Sequence, residues 1–292
     1  MSAIPDVIIP AAARPVTRLE RSSGWRALDW RELLAYRDLL WFLVRRDVKS
    51  LYAQTVIGFG WAILRPLFGM LVFTVVFGSL ARIPSDGVPY AVFSFTALVP
   101  WTYFSTAMTG ATTSLISNAP MLSKVYFPRL IIPLTPVLAA LVDFAVATVV
   151  LAGLLAAYRI KPTAAIAMFP VLVVLMCLAA FGIGTWLSAL AVRYRDVKHG
   201  VQFLAQLLMY AAPVVWPVSL IAEKFGSNAR AIRLIYGLYP MAGVIEGFRA
   251  SILGTTPMPW DLIGVGAASS IVLAVTGALY FRRMERHFAD IA

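Results

Sequence analysis

Long apolar runs separated by short polar breaks organise this chain. A helix that crosses a bilayer needs about 20 consecutive, mostly apolar residues. Six stretches meet that length: 56–80, 90–114, 133–157, 166–191, 201–222 and 260–281. An even number of crossings returns the chain to the side it started from. Pro213 and Pro217 fall inside the fifth run and predict a kink there. Ahead of the first run, residues 30–49 carry a different pattern. Arg31, Asp38, Arg45 and Lys49 recur on one helical face, while Leu33, Leu40, Trp41, Val44 and Val48 fill the other. A cationic, aromatic-bearing amphipathic helix suits the headgroup layer of an anionic leaflet; packing against a partner protein is the alternative. Residues 1–29 hold Pro5, Pro10 and Pro15 and several arginines without a compact apolar core, the pattern of a mobile cytoplasmic tail and not of a cleaved leader. The pattern divides the chain into a tail (1–29), an interface helix (30–55), a six-span domain (56–281) and a C-terminal segment (282–292).

Composition agrees with this pattern. The chain is 60% hydrophobic and 13% charged, against about 25% charged residues in soluble domains. The fold class expected is an all-α integral membrane protein with six transmembrane helices. The net charge of +11 then concerns membrane orientation, and nucleic acid is not an expected partner. Arg193, Arg195 and Lys198 crowd one short break, and Arg282, Arg283 and Arg286 follow the last run. Cations concentrate on the cytoplasmic side of short loops, so both termini are expected in the cytoplasm.

Segment 223–259 is too long for a simple turn, and its part from Gly237 to Arg249 is too short and too charged to span. It is expected as a re-entrant or surface helix pair. Irregular backbone at membrane depth survives only where protein or a water-filled cavity surrounds it. This segment is therefore a candidate gate, with Tyr239, Pro240, Glu246 and Arg249 as its residues. Small residues at four-residue spacing (Ala180, Gly184 and Ser188; Gly266 and Ser270) favour close helix packing.

Several chemistries have little to work with. A phosphate-binding P-loop needs Gly directly before its Lys, and none of Lys49, Lys124, Lys161, Lys198 and Lys224 follows a glycine. Cys177 is the single cysteine, His199 and His287 are isolated, and no Asp-x-Asp occurs, so no metal site and no catalytic residues are expected. Two ionisable residues lie inside spans, Arg65 directly before Pro66 and Asp143 in the third run. They are either a polar patch on a transport route or a structural pair, or Arg65 snorkels alone. Trp61, Trp101, Tyr103, Phe104, Tyr210 and Trp216 lie in or at the ends of spans. Sugar rings stack on aromatic planes, so these six are channel candidates. An interfacial aromatic belt is the competing reading for Trp101 and Trp216, and Tyr210 and Trp61 lie deeper.

Residues 115–133 mix the cations Lys124 and Arg129 with Tyr126, Phe127 and three prolines between two apolar runs. The stretch Lys124-Val125-Tyr126-Phe127-Pro128-Arg129-Leu130 resembles the cytoplasmic coupling segment of ABC-2-type permeases that export polysaccharides. The first span from Val56 through Gly58-Phe59-Gly60-Trp61 to Arg65-Pro66-Leu67 is similar to that family's first span. The stretch Arg193-Tyr194-Arg195-Asp196-Val197-Lys198 resembles its second cytoplasmic loop, and Tyr239 to Arg249 resembles its re-entrant gate region. The resemblance covers nearly all of the chain after residue 30. It implies a homodimer in a bacterial cytoplasmic membrane with two copies of a separate P-loop ATPase. The partner would bind ATP and Mg, and this chain would hold no cofactor. The substrate would be a lipid-linked polysaccharide. Lys124, Tyr126, Phe127, Pro128 and Arg129 would contact the ATPase. The alternative is a membrane enzyme or stand-alone carrier acting on lipid-linked sugars.

Reporter fusions after Ser85 and after Lys161 are expected to report the external side. A cytoplasmic signal from either would break the six-span arrangement.

Overall fold

The computed structural model describes residues 30–53, 58, 60–122 and 126–288, with backbone alone at 30–32, 222 and 286–288. The tail 1–29, the end of the expected interface helix, Val56, Ile57 and Phe59 of the first run, and Lys124 of the coupling segment lie outside these residues. Among the described residues every regular element is helical.

Two helices precede the first span, α1 (Trp30–Ala35) and α2 (Arg37–Tyr52). They replace the single interface helix expected, since the chain bends at Tyr36. In α2, Leu43 and Val44 turn inward and are buried, whereas Trp41 and Phe42 stay exposed. Trp41 meets the Arg45 guanidinium, 5.2 Å above its ring. An exposed Trp–Phe pair beside a cation suits the lipid–water boundary.

Helix α3 (Gly60–Phe73) continues as a π-helical stretch, Thr74–Leu80. Helix α4 spans Tyr90–Ser117, α5 is the short turn Ala119–Leu122, α6 spans Ile131–Ala157 and α7 spans Phe169–Arg193. Four helical stretches are long and apolar enough to cross a membrane: Gly60–Leu80, Ile131–Ala157, Ala164–Arg193 and Trp260–Glu285. Helix α4 has ample length but carries many Ser and Thr, and it is the helix around which the others pack. Val92, Phe93, Phe95, Phe104, Ala107, Met108 and Ala111 on it are all inaccessible. Several of its hydroxyls are absorbed locally: Thr96, Thr112 and Ser114 donate to carbonyls one turn back.

The fifth apolar run departs most from expectation. Instead of one kinked helix over 201–222, helix α8 (Asp196–Ala211) stops early and α9 (Ser219–Phe225) follows an irregular stretch. The reason is Pro213. It lacks an N–H and forces the preceding Ala212 into extended geometry, φ −75° and ψ 150°. Helices α10 (Ala229–Gly237) and α11 (Pro240–Leu253) come next, and Gly254 at φ 67° ends α11 in the left-handed conformation that glycine adopts without strain. Helix α12 (Trp260–Phe288) closes the chain. The Thr163 hydroxyl and backbone N–H both reach the Ser251 carbonyl, at 2.8 and 3.2 Å, fixing the end of α11 to the chain between α6 and α7.

The expected small-residue contacts form, each with its own partner. A Cβ on Gly184 would come 2.6 Å from Ala111 of α4, and one on Gly266 would come 3.3 Å from the Pro240 carbonyl. The tightest crossing, between α7 and α12, uses two glycines outside that pattern. A Cβ on Gly182 would sit 2.5 Å from the Leu273 carbonyl carbon, and one on Gly277 would sit 2.5 Å from the Gly182 oxygen. Backbone cannot yield as a side chain can, so both positions exclude any larger residue. Gly182→Ala is expected to force α7 and α12 apart and to destabilise by about 1–3 kcal/mol. Gly153→Ala, with nothing within 4 Å of the added methyl, should be neutral or slightly stabilising. Thermal unfolding of the detergent-solubilised chain compares the two, and equal melting temperatures would contradict this packing.

Candidate functional site

Three places concentrate the residues that the sequence singled out. The first is the end of the bundle where α4 hands over to α6. Tyr126 projects outward and is 72% exposed, whereas Phe127 beside it is 4% exposed. Phe127 packs with Leu43 of α2, Leu115 of α4, Ile131 of α6, Ala189 of α7 and Phe281 of α12. The Arg129 guanidinium donates to the Glu285 carbonyl at 3.0 Å and lies 3.8 Å from its carboxylate. Pro128 leaves its carbonyl to cap the Ile131 N–H at 3.0 Å. The turn is therefore a plug with its two aromatics on opposite sides, one inside the bundle and one outside. Both aromatics were expected to face outward, and in this arrangement Phe127 holds the turn to the bundle. Arg46 of α2 reaches Asn118 at 2.9 Å, so α2 is tied to the same place.

The second is the expected gate. Helix α11 is buried along its whole length, because α4, α7 and α12 surround it. The Glu246 and Arg249 side chains are 7% and 2% exposed and pair at 2.8 Å. Their partners explain them. Where α8 stops, the carbonyls of Val214, Val215 and Trp216 have no helix to bond into. Arg249 donates to Val214 at 2.8 Å and to Trp216 at 3.3 Å, and the Tyr90 hydroxyl donates to Val215 at 2.7 Å. Glu246 accepts from the Val218 N–H at 3.4 Å. The guanidinium also lies 3.6 Å over the Phe93 ring, where a cation is attracted by the ring's negative face. Tyr239 donates to the Leu208 carbonyl at 3.2 Å, and Pro240 opens α11 at a position where its missing N–H costs nothing. The pair is thus the clasp of the irregular stretch. Phe93 and Tyr90 were not singled out in the sequence, since an aromatic in an apolar run carries no signal of its own.

The third is a cavity of about 170 Å³ that joins both intramembrane charges. Arg65 and Asp143 both line it, yet among the described residues they form no ion pair. Asp143 accepts from the Tyr52 hydroxyl, and the Arg65 guanidinium lies 5.9 Å over Trp61. The six aromatic channel candidates do not share one wall. Trp61 and Tyr103 line the cavity. Trp101 and Phe104 are buried against each other, 5.5 Å apart, as part of the α4 core. Tyr103 is buried too, and its hydroxyl donates to the Val137 carbonyl at 2.9 Å. Tyr210 is exposed at the end of α8, beside Phe203 and Leu207, and Trp216 packs on Tyr236 at 5.6 Å. Tyr52, Thr102 and Thr106 join the cavity although little in their sequence context marks them out. The one available sign was the four-residue spacing of the two threonines.

Among the described residues no cluster of His, Cys, Asp and Glu has the arrangement of a metal site. The strongest electrostatic commitment is the clasp. Arg249→Met would leave Glu246 charged and buried without its partner, at a cost of about 3–5 kcal/mol. Glu246→Gln keeps an oxygen acceptor for both Arg249 and the Val218 N–H and should cost less. Unfolding midpoints in detergent test the order, and a loss for Glu246→Gln as large as for Arg249→Met would contradict it.

Comparison with known proteins agrees with this geometry. The family model described as "ABC-2 type transporter" matches residues 38–253. The O-antigen export system permease protein RfbA of Myxococcus xanthus is 31% identical over 261 residues, covering 89% of this chain and 97% of that protein. Two proteins of the same description from Klebsiella pneumoniae are 27% and 26% identical over 255 residues, each covering 87% of this chain and 95% of the relative. The matched region runs from α2 through the turn at Tyr126, the cavity and the clasp to the end of α11. By the extent of that match, this chain belongs to the ABC-2 type transporter family.

Proposed function

We propose that this chain is the transmembrane subunit of an exporter that moves a lipid-linked polysaccharide across a bacterial cytoplasmic membrane, driven by a separate ATPase. What carries this reading is the near full-length similarity to O-antigen export permeases, joined to the outward Tyr126 on a turn packed into five helices. A subunit that receives force from a partner needs such a rigidly held knob. The chain works as a homodimer with two ATPase copies, with six crossings and both termini in the cytoplasm. Four crossings have the length and apolarity required. The fifth is α4, which the other helices shield from lipid. The sixth is α8 with the irregular stretch after it, where the clasp meets the demand that backbone at membrane depth be bonded by protein.

In this reading the coupling turn divides its work. Tyr126 enters the ATPase groove, and interface energy tends to concentrate in such aromatic anchors. Phe127 and Arg129 transmit the push, one through the bundle core and the other through its bond to α12. The gate is α11 with the clasp: displacing α11 carries residues 214–218 with it, so the outer end of the conduit moves as one body.

Reconstitution of the chain with its candidate ATPase tests both levels. A lipid-linked glycan is expected to stimulate hydrolysis by the assembled complex, and absence of stimulation would reject the export reading. Tyr126→Ala should lose assembly with the ATPase while its melting temperature stays unchanged. Phe127→Ala should instead lower the melting temperature, by about 3–5 kcal/mol of lost core packing. Normal assembly of the Tyr126 variant would remove that residue from the interface.

A further inference from the structure

We propose that the cavity between α2, α3, α4 and α6 is a subsite for one neutral sugar ring of the transported glycan. The inference rests on the polysaccharide reading above and specifies where the chain touches its cargo.

The cavity joins six groups of complementary chemistry: Tyr52, Trp61, Arg65, Thr102, Thr106 and Asp143. Asp143 stands twelve residues into α6, about 18 Å along its axis, so the cavity lies deep within the span. Charged and hydroxyl-bearing groups at that depth face a watery path or protein, because hydrocarbon solvates neither. Several of these groups have bonding capacity to spare. Among the described residues Arg65 takes part in no ion pair. The Thr102 and Thr106 hydroxyls donate to no protein group there, although Thr96 and Thr112 on the same helix bond back to carbonyls. Asp143 uses one oxygen on Tyr52 and keeps the other.

The charge balance selects the ligand. One guanidinium and one carboxylate share the cavity, so a phosphate would meet Asp143 and a cation would meet Arg65. A neutral polyol meets neither objection, since each of its hydroxyls both donates and accepts. Arg65 offers donors, Asp143 an acceptor, and the threonines either. Trp61, partly exposed, supplies a flat face on which the C–H side of a sugar ring can lie. Drug-sized ligands occupy about 300–1,000 Å³. A cavity of about 170 Å³ suits a single ring, so a polymer would pass it one residue at a time. Each contact is weak, which passage requires.

The test uses the full chain in complex with its ATPase, held in lipid nanodiscs. The probe is the producing cell's own surface polysaccharide, freed of lipid and cut to short oligosaccharides, with binding measured by equilibrium dialysis. Thr102→Val combined with Thr106→Val keeps the side-chain shape and removes two hydroxyls, and about tenfold weaker binding is expected. Asp143→Asn should weaken binding as well, and the threonine variant decides the matter if the Asn variant does not fold. Ser117→Ala, on the same helix but outside the cavity, should bind as the wild type does. Wild-type affinity in the threonine variant, or binding so weak in the wild type that dialysis detects none, would overturn the subsite. Either result leaves the export reading intact if a lipid-linked glycan still stimulates hydrolysis. If deleting the gene leaves the cell's surface polysaccharide unchanged, the export reading fails and the subsite falls with it.

Discussion

The carbonyls of Val214, Val215 and Trp216 set the terms for the half of the protein around them. In water a break in a helix costs little, because solvent bonds to the freed backbone. Where the carbonyls are buried, each one left unbonded costs free energy, so a helix that stops at Ala211 before a buried stretch requires donors from elsewhere in the chain. Arg249 and Tyr90 supply them. Arg249 in turn requires a counter-charge, which Glu246 provides from the preceding turn of the same helix. The burial of α11 follows, since an ion pair that bonds to buried carbonyls must itself be buried. The seat of α11 against α4, α7 and α12 is thus a consequence of Pro213.

The same constraint separates a rigid part from one suited to movement. Helices α4, α7 and α12 meet through glycines and small residues, at distances that leave no room for a methyl group. Contacts of that kind permit very little sliding. Helix α3 packs far less of its surface: only 6% of its apolar window is buried, against 33–39% in the other three apolar spans. Its exposed Phe68, Leu71 and Val72, with Val75 of the π-helical stretch that continues it, are ready to face lipid or a second copy. The coupling turn is fastened to the rigid part through Phe127 and Arg129, and the cavity lies at the boundary between α3 and α4.

The two buried or half-buried charge sets differ in the way expected of a support and a contact. The clasp is the more fully bonded of the two: Arg249 Nη1 and Nη2 and Glu246 Oε1 are engaged, with Arg249 Nε and Glu246 Oε2 left over among the described residues, and its groups stay in place because leaving would strand several others. The cavity is less fully bonded: among the described residues Arg65 has the Trp61 ring but no ion pair, two hydroxyls donate to no protein group and Asp143 keeps one oxygen. Saturated networks fix a structure. An incompletely bonded set within a span is suited to a ligand.

The apolar runs by themselves determined the all-helical membrane class and the positions of most helices to within a few residues, because crossing a bilayer leaves a length and composition signal that no packing detail can hide; the family resemblance rested on the short stretches around Trp61, Tyr126, Arg193 and Tyr239. The mixed composition around Tyr126 marked the coupling turn for the same reason: cations and prolines between spans are conspicuous. Only the tertiary structure decided which side of that turn is buried, since Tyr126 and Phe127 are neighbours of similar character and the choice depends on a pocket built by five distant helices. It likewise turned the suspected gate charges into a clasp, because the carbonyls that need them are over thirty residues away in sequence. It divided the aromatics among a core, a cavity and a surface, which side-chain type cannot foretell. And it brought Tyr52, Thr102 and Thr106 to Asp143: each is unremarkable in its own helix, and only the packing of α2, α4 and α6 makes them one site.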